Sequence, residues 1–176
     1  LVGVILADLS LNLPDFRAGE RTFQLLTQVA GRAGRAEKPG EVLIQTYNPK
    51  HHSLQCARGH DTLRFHEREL RQRESLSMPP FLHLTLILCS SPIEERAEYL
   101  ARELSSRFSS VPFGARVIGP METPVKKLRN RFRWQILLKS VHSGDIHKML
   151  RQATREPLKL QKNELLQIDI DPHHLI

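Results

Sequence analysis

The sequence predicts an α/β segment followed by a separate α+β domain, and three observations lead there. A near-continuous apolar run at residues 1–7 and a β-branched run at 41–47 flank a stretch with helical periodicity, which makes a β-α-β unit. Beyond residue 77 a second set of runs comes in the order β-α-β-β-α-β. Between the two stands Met78-Pro79-Pro80-Phe81, whose prolines stop a helix and set an extended path. The expected division is therefore 1–76 and 77–176.

Leu1 to Ala7 reads as a parallel strand buried on both faces. Asp8 ends it, at a position where ligands and functional loops gather in open α/β sheets; the same residue equally suits a turn or cap. Pro14 biases Leu13 away from helix, so 9–17 is expected as an irregular loop. Asp15, Arg17, Glu20 and Arg21 would form an ion-pair cluster bracing it, worth under about 1 kcal/mol per pair at a surface. A helix over 18–30 follows, with Phe23, Leu26 and Ala30 on one face, and then a tight turn at Gly31-Arg32-Ala33-Gly34-Arg35. Pro39-Gly40 marks a loop before the strand at 41–47. Helical segments at 53–58 and 61–76 come next. The second, dense in charge, reads as a solvated connector with i,i+4 pairs such as Glu67–Arg71.

In the second half, Leu82, Leu84, Leu86 and Leu88 alternate to one face of a strand. Pro92 opens a helix whose Ile93, Ala97, Leu100, Ala101, Leu104 and Phe108 form a stripe. Val117-Ile118-Gly119 is a short strand and 132–139 a longer one. Ser143-Gly144-Asp145 caps a helix bearing Ile146, Met149, Leu150 and Ala153, and 166–171 closes the set. This order is the split β-α-β, ferredoxin-like arrangement.

Lys and Arg number 26 against 19 Asp and Glu, for a net charge of +7 and a pI near 9.8. The excess is uneven, with 11 basic and 9 acidic residues in 1–76 against 15 and 10 in 77–176. The second half is the better electrostatic match for a polyanion such as DNA. Cys56 and Cys89 form no CxxC, and the pairs His51-His52 and His173-His174 lack a completing ligand at metal spacing, so no metal site is expected. No apolar run approaches membrane-spanning length and no signal peptide is evident; a cytoplasmic protein without a membrane partner is the expectation.

Two stretches carry chemistry. In Gln28-x-x-Gly31-Arg32-x-Gly34-Arg35, two glycines let the backbone turn while two guanidinium forks project toward one anion. The plainer reading is a glycine C-cap with arginines near the helix dipole. In the hairpin at 126–135, Lys126, Lys127, Arg129, Arg131 and Arg133 stand beside Phe132 and Trp134, a candidate phosphate-binding and base-stacking surface. Here the plainer reading has Phe132, Trp134 and Ile136 alternating into the core, with Arg131, Arg133 and Gln135 on the opposite face.

The first stretch resembles the last conserved motif of superfamily-two nucleic-acid helicases. The preceding segment, Asp8-Leu9-Ser10-Leu11-Asn12-Leu13-Pro14-Asp15-Phe16-Arg17-Ala18-Gly19-Glu20-Arg21, is similar to the primosomal replication-restart helicases of bacteria, the primosomal protein N-prime family. Met78-Pro79-Pro80-Phe81 and Arg131-Phe132-Arg133-Trp134-Gln135 extend the likeness. The resemblance implies a C-terminal piece of an ATP-driven, 3′-to-5′ DNA helicase that restarts stalled forks. It would hold the end of RecA-like motor lobe two, then a small domain likened to a ribosomal-protein fold. It also implies ATP with Mg2+, half of whose site lies on sequence not present, since no GxxxxGK[ST] loop occurs here. Arg35 would be the arginine finger, Arg32 a second phosphate contact, and Gln28 a polar contact to nucleotide or attacking water. Asp8, Asp15, Arg17, Glu20 and Arg21 would join the nucleotide site to the DNA track. Lys126, Lys127, Arg129 and Arg133 would bind branched or single-stranded DNA at forks. Arg131 and Gln135 would hold the acidic tail of single-stranded-DNA-binding protein, alongside contacts with other primosome proteins. The family's zinc-binding cysteines have no counterpart in these residues. The competing reading is a non-enzymatic nucleic-acid-binding or scaffold module working through the basic hairpin.

Overall fold

The computed structural model describes residues 1–33, 41–111 and 114–175. The chain divides into two compact units, Leu1–Leu76 and Ser77–Ile176.

In the first unit, strand β1 (Val2–Val4) pairs in parallel with β2 (Val42–Ile44), Val2 opposite Val42. Helices α1 (Asp8–Leu11) and α2 (Ala18–Ala33) lie between them in sequence, and α3 (His52–Arg58) and α4 (Thr62–Ser75) follow. A parallel pair needs a crossover, and the apolar stripe of α2 supplies it. Phe23 and Leu26 enter a core with Ala7, Leu54, Cys56, Ala57 and Phe65. The Phe23 and Phe65 rings stack at 4.1 Å between centroids. Burial of two such aromatic side chains contributes about 3–6 kcal/mol before entropy is counted.

Four expectations are corrected here. The apolar run at 1–7 forms a strand of only three residues, with Leu1 87% exposed. A strand is buried on both faces only within a sheet covered by two layers, and among the described residues β1 pairs with β2 alone. Residues 8–11 form a helical turn rather than loop, braced by a 2.8 Å hydrogen bond between the Ser10 and Thr22 hydroxyls. Helix α2 runs through Gly31 and Arg32 to Ala33, so neither residue belongs to a turn. A glycine inside a helix costs about 1 kcal/mol, which a helix anchored at its other end tolerates. Finally, α4 is not merely solvated: Phe65 and Glu69 are buried, and its i,i+4 ion pair is Glu69–Arg73. Asp61 caps it, accepting from Arg64 N at 3.0 Å.

The second unit runs β3 (His83–Ser91), α5 (Glu94–Ser109), β4 (Arg116–Leu128), β5 (Arg131–Ser140), α6 (Ser143–Ala153) and β6 (Leu165–Ile170). The sheet is ordered β4-β5-β3-β6 and is antiparallel throughout. Ile87, Cys89, Ile136 and Leu138 on one face meet Leu100, Ala101, Leu104 and Phe108 of α5 and Ile146, Met149 and Ala153 of α6. The leucine alternation of β3 therefore faces away from both helices, which pack on the Thr85, Ile87 and Cys89 side. Ile93 precedes α5 and is 58% exposed, outside the stripe it was expected to join. Helix α6 has His142 at its N-cap and no side-chain cap there. Strand β4 is far longer than Val117–Gly119, because Pro120 and Pro124 fall at register shifts that spare the ladder their missing N–H groups.

Candidate functional site

Gln28 and Arg32 are four residues apart on α2, so they project from one face, and both are exposed. Gly34 and Arg35 lie outside the described residues. A guanidinium and a carboxamide presented together at a helix end are suitable donors for phosphate oxygens. Among the described residues, no group of three or more His, Cys, Asp or Glu side chains is placed to hold a metal ion.

The start of α2 is held by a network. Asp15 Oδ1 accepts from Arg17 N at 2.9 Å, and Asp15 Oδ2 accepts from Arg21 Nη2 at 2.9 Å. Arg17 grips Glu20 with both Nε (3.1 Å) and Nη2 (2.7 Å). Arg73 Nη2 reaches Glu20 Oε2 at 2.9 Å while its Nε donates to Glu69 Oε1 at 3.0 Å, and its guanidinium lies over the Phe16 ring. His52 Nε2 meets Glu69 Oε2 at 2.9 Å. The expected cluster thus exists, but its setting is not a solvated surface: the Asp15 side chain is fully buried. Removing one partner from such a pair costs far more than the under 1 kcal/mol of an exposed one. The Arg17 hydrogen bonds, helped by Arg73, hold the Glu20 carboxyl down at about 2 from an ordinary 4.5. Burial pushes Glu69 up, but hydrogen bonds from His52 and Arg73 prevail and its pKa is lowered. Gly19 sits where a Cβ would come within 3.0 Å of Glu69 Oε2, so the network also needs a small residue there.

Sequence reasoning missed Arg73, Glu69 and His52. The 69/73 spacing on a helix was a signal for that pair, but nothing local joined it to Glu20. Asp8 stands at the N-terminal end of α1 with both oxygens engaged: Oδ1 accepts from Thr46 Oγ1 (2.8 Å) and Asn48 N (3.2 Å), Oδ2 from Tyr47 N (2.8 Å). The Tyr47 hydrogen bond leads in lowering its pKa. This geometry ties the segment after β2 to α1; Asp8 is not a helix cap, since the N-cap of α1 is Ala7 and has no side-chain cap hydrogen bond.

The hairpin joins β4 to β5 through Arg129 and Asn130, both at positive φ (49° and 63°), between the paired Leu128 and Arg131. This is the two-residue turn whose twist matches that of the strands. Asparagine suits the conformation; arginine adopts it at a cost of about 1–2 kcal/mol. The basic residues separate by environment. Lys126 Nζ pairs with Glu94 at 2.6 Å and Glu122 at 3.1 Å, which raise its pKa. Lys127 lies over the Phe132 ring at 4.6 Å. Arg131 donates to Ser90 Oγ (3.2 Å), Ser90 O (2.9 Å) and Asn163 O (2.6 Å), bracing β5 against the end of β3 and the approach to β6. Gln135 is buried. Arg129 is exposed and Arg133 half-buried. Trp134 packs against the helix-covered core and its Nε1 is buried without a hydrogen-bond partner, so it is no stacking platform.

A parallel crossover ending in an exposed Gln–Arg helix face, followed by an antiparallel unit with a cationic hairpin, defines a two-unit mixed α/β protein. Residues 74–173 match the family model described as Primosomal protein N C-terminal domain, and the chain belongs to that family. Relatives named replication restart protein PriA align along almost the whole chain. That of Bacillus subtilis is 37% identical over 100% of the chain and 22% of its own length. The Synechocystis protein is 38% identical over 98% of the chain and 20% of itself, and the Haemophilus influenzae protein 36% over 99% and 24%. The chain spans about a fifth to a quarter of these relatives. No helix among the described residues is long and apolar enough to cross a membrane.

Proposed function

We propose that this chain is the C-terminal part of an ATP-driven, 3′-to-5′ DNA helicase that recognises stalled replication forks and initiates primosome assembly. The observation that carries the reading is the alignment of nearly all its residues with proteins named for replication restart. The parallel β1–β2 crossover supports reading the first unit as the end of a RecA-like motor lobe. The order β4-β5-β3-β6 supports a ferredoxin-like second unit of the ribosomal-protein kind, acting as the DNA- and partner-binding domain.

In this reading Arg32 and Arg35 meet the charge that develops on the transferring phosphoryl group, with Gln28 orienting nucleotide or water. The bound Mg2+ would be held by the phosphates and by residues of the other lobe. The network of Asp15, Arg17, Glu20 and Arg21 fixes the helix that carries these groups, with Asp8 bracing the preceding turn. Lys127, Arg129 and Arg133, with Lys126, contact DNA. Arg131 and Gln135 serve an acidic partner tail; Ser90 and Asn163 engage Arg131 through Nε and Nη2, which leaves Nη1 to meet a carboxylate. In the full-length protein, Arg35→Ala is expected to lower DNA-stimulated ATP hydrolysis by about 10³-fold or more while fork binding persists. Normal turnover in that variant overturns the assignment.

A further inference from the structure

The cations of the hairpin do not account for all the charge on this sheet. Arg116 of β4 stands directly opposite Lys139 of β5. Their neighbours Val117 and Leu138 point into the helix-covered core, so Arg116 and Lys139 lie on the face that carries neither α5 nor α6. Like charges directly opposite on a sheet destabilise it. Lys139 is half-buried, and burial together with the charge of Arg116 lowers its pKa. No carboxylate makes an ion pair with either residue among those described, although Lys126, at the other end of the hairpin, has two. A fold gains nothing from this pairing; an anion seated between the two side chains removes the repulsion.

We propose that Arg116 and Lys139 form a phosphate-binding site for the nucleic-acid backbone, at the opposite end of the β4–β5 ladder from the hairpin tip. Arg133 shares their face, because its partner Ser90 lies an even number of residues along β3 from Leu84, the partner of Lys139. Six residues of β5 separate Arg133 from Lys139, about 20 Å of extended strand. On one side of a duplex, phosphates of the two strands face each other across the major groove, about 12 Å wide between backbone edges, at a separation of this order. The face thus presents phosphate contacts at two points, with Ile118, Leu137, Leu86 and Leu88 between them. Duplex backbone is the ligand favoured, because the separation of the two points suits a rigid rod.

This inference rests on the DNA-binding reading above, and its test separates the two. Full-length protein is titrated onto a fluorescent DNA duplex at several salt concentrations, and its melting temperature is recorded. Replacing both residues, Arg116→Gln with Lys139→Gln, is expected to reduce the slope of log K against log salt by about 0.9, the one phosphate seated between them. The melting temperature should hold or rise, since repulsion is relieved. An unchanged slope overturns the site. If the Gln pair lowers the melting temperature, the charge-conserving exchange Arg116→Lys with Lys139→Arg decides. A slope kept by the exchange but lost in the Gln pair upholds the site; a slope lost in both overturns it. A slope reduced for single-stranded DNA alone overturns the duplex assignment. If the unaltered protein shows no salt-dependent DNA binding, the broader reading fails first; a Lys127→Gln effect without one at Arg116 and Lys139 removes only this site.

Discussion

Arg73 Nη2 lies 2.9 Å from Glu20 Oε2, joining α4 to the first turn of α2 across 53 residues of chain. The same guanidinium holds Glu69 of its own helix and covers Phe16, and its side chain is 13% exposed. One planar group therefore ties together the loop before α2, α2 itself and α4. Arginine's planar fork presents separate N–H groups to the two carboxylates while its face lies over the ring.

Replacing Arg73 with alanine should remove this clasp and leave Glu20 and Glu69 partly buried and short of a partner. A loss of about 2–3 kcal/mol is expected by urea unfolding. Arg73→Lys should recover less than half, because an ammonium cannot serve both carboxylates with the same geometry. Full stability in Arg73→Ala would show that Arg17 and His52 suffice.

The Glu20 carboxyl also sets a pH window. Its pKa is about 2 in the folded chain and ordinarily 4.5, so it is depressed on folding. Its contribution is fully present above pH 4.5 and is lost as the pH falls toward about 2, where the folded state must also take up the proton. Denaturation titrations between these limits should show stability falling with acid. Glu20→Gln should flatten that fall by up to one proton's worth of slope while lowering stability at neutral pH. An identical pH profile in the variant would reject the assignment.

Gly119 has φ of +106°, and a Cβ there would lie 2.9 Å from Gln135 O. Both the conformation and the close approach of β5 exclude a side chain. Gly119→Ala is expected to cost about 2 kcal/mol, read as a lower melting temperature for the second unit. It should also disturb the register shift that lets β4 continue past Pro120. Unchanged melting would mean that the bulge rearranges freely.

Much of the architecture was legible because its causes are local. The two prolines at 79–80 stop a helix through their own rings, and the division of the chain falls beside them. The stripe from Ala97 to Phe108 needs only a helical period, and all its members are buried. The cluster of Asp15, Arg17, Glu20 and Arg21 was readable because its partners lie within six residues of one another. The Arg129-Asn130 turn could have been found from the strands around it, had β4 been read through its prolines.

What local chemistry left open were choices made by distant neighbours. Period two places Leu84, Leu86 and Leu88 of β3 on one face, but the arrival of α5 and α6 made Ile87 and Cys89 the core. Alternation placed Arg131 beside Arg133, yet the end of β3 and Asn163 capture one of them and leave the other half-exposed. A charged helix looked solvated until Glu20, half a hundred residues earlier, supplied its partner. Arg116 and Lys139 are unremarkable in sequence; register alone sets them face to face. Propensity and periodicity act over a turn or a few residues, whereas burial, register and charge pairing depend on which segments meet.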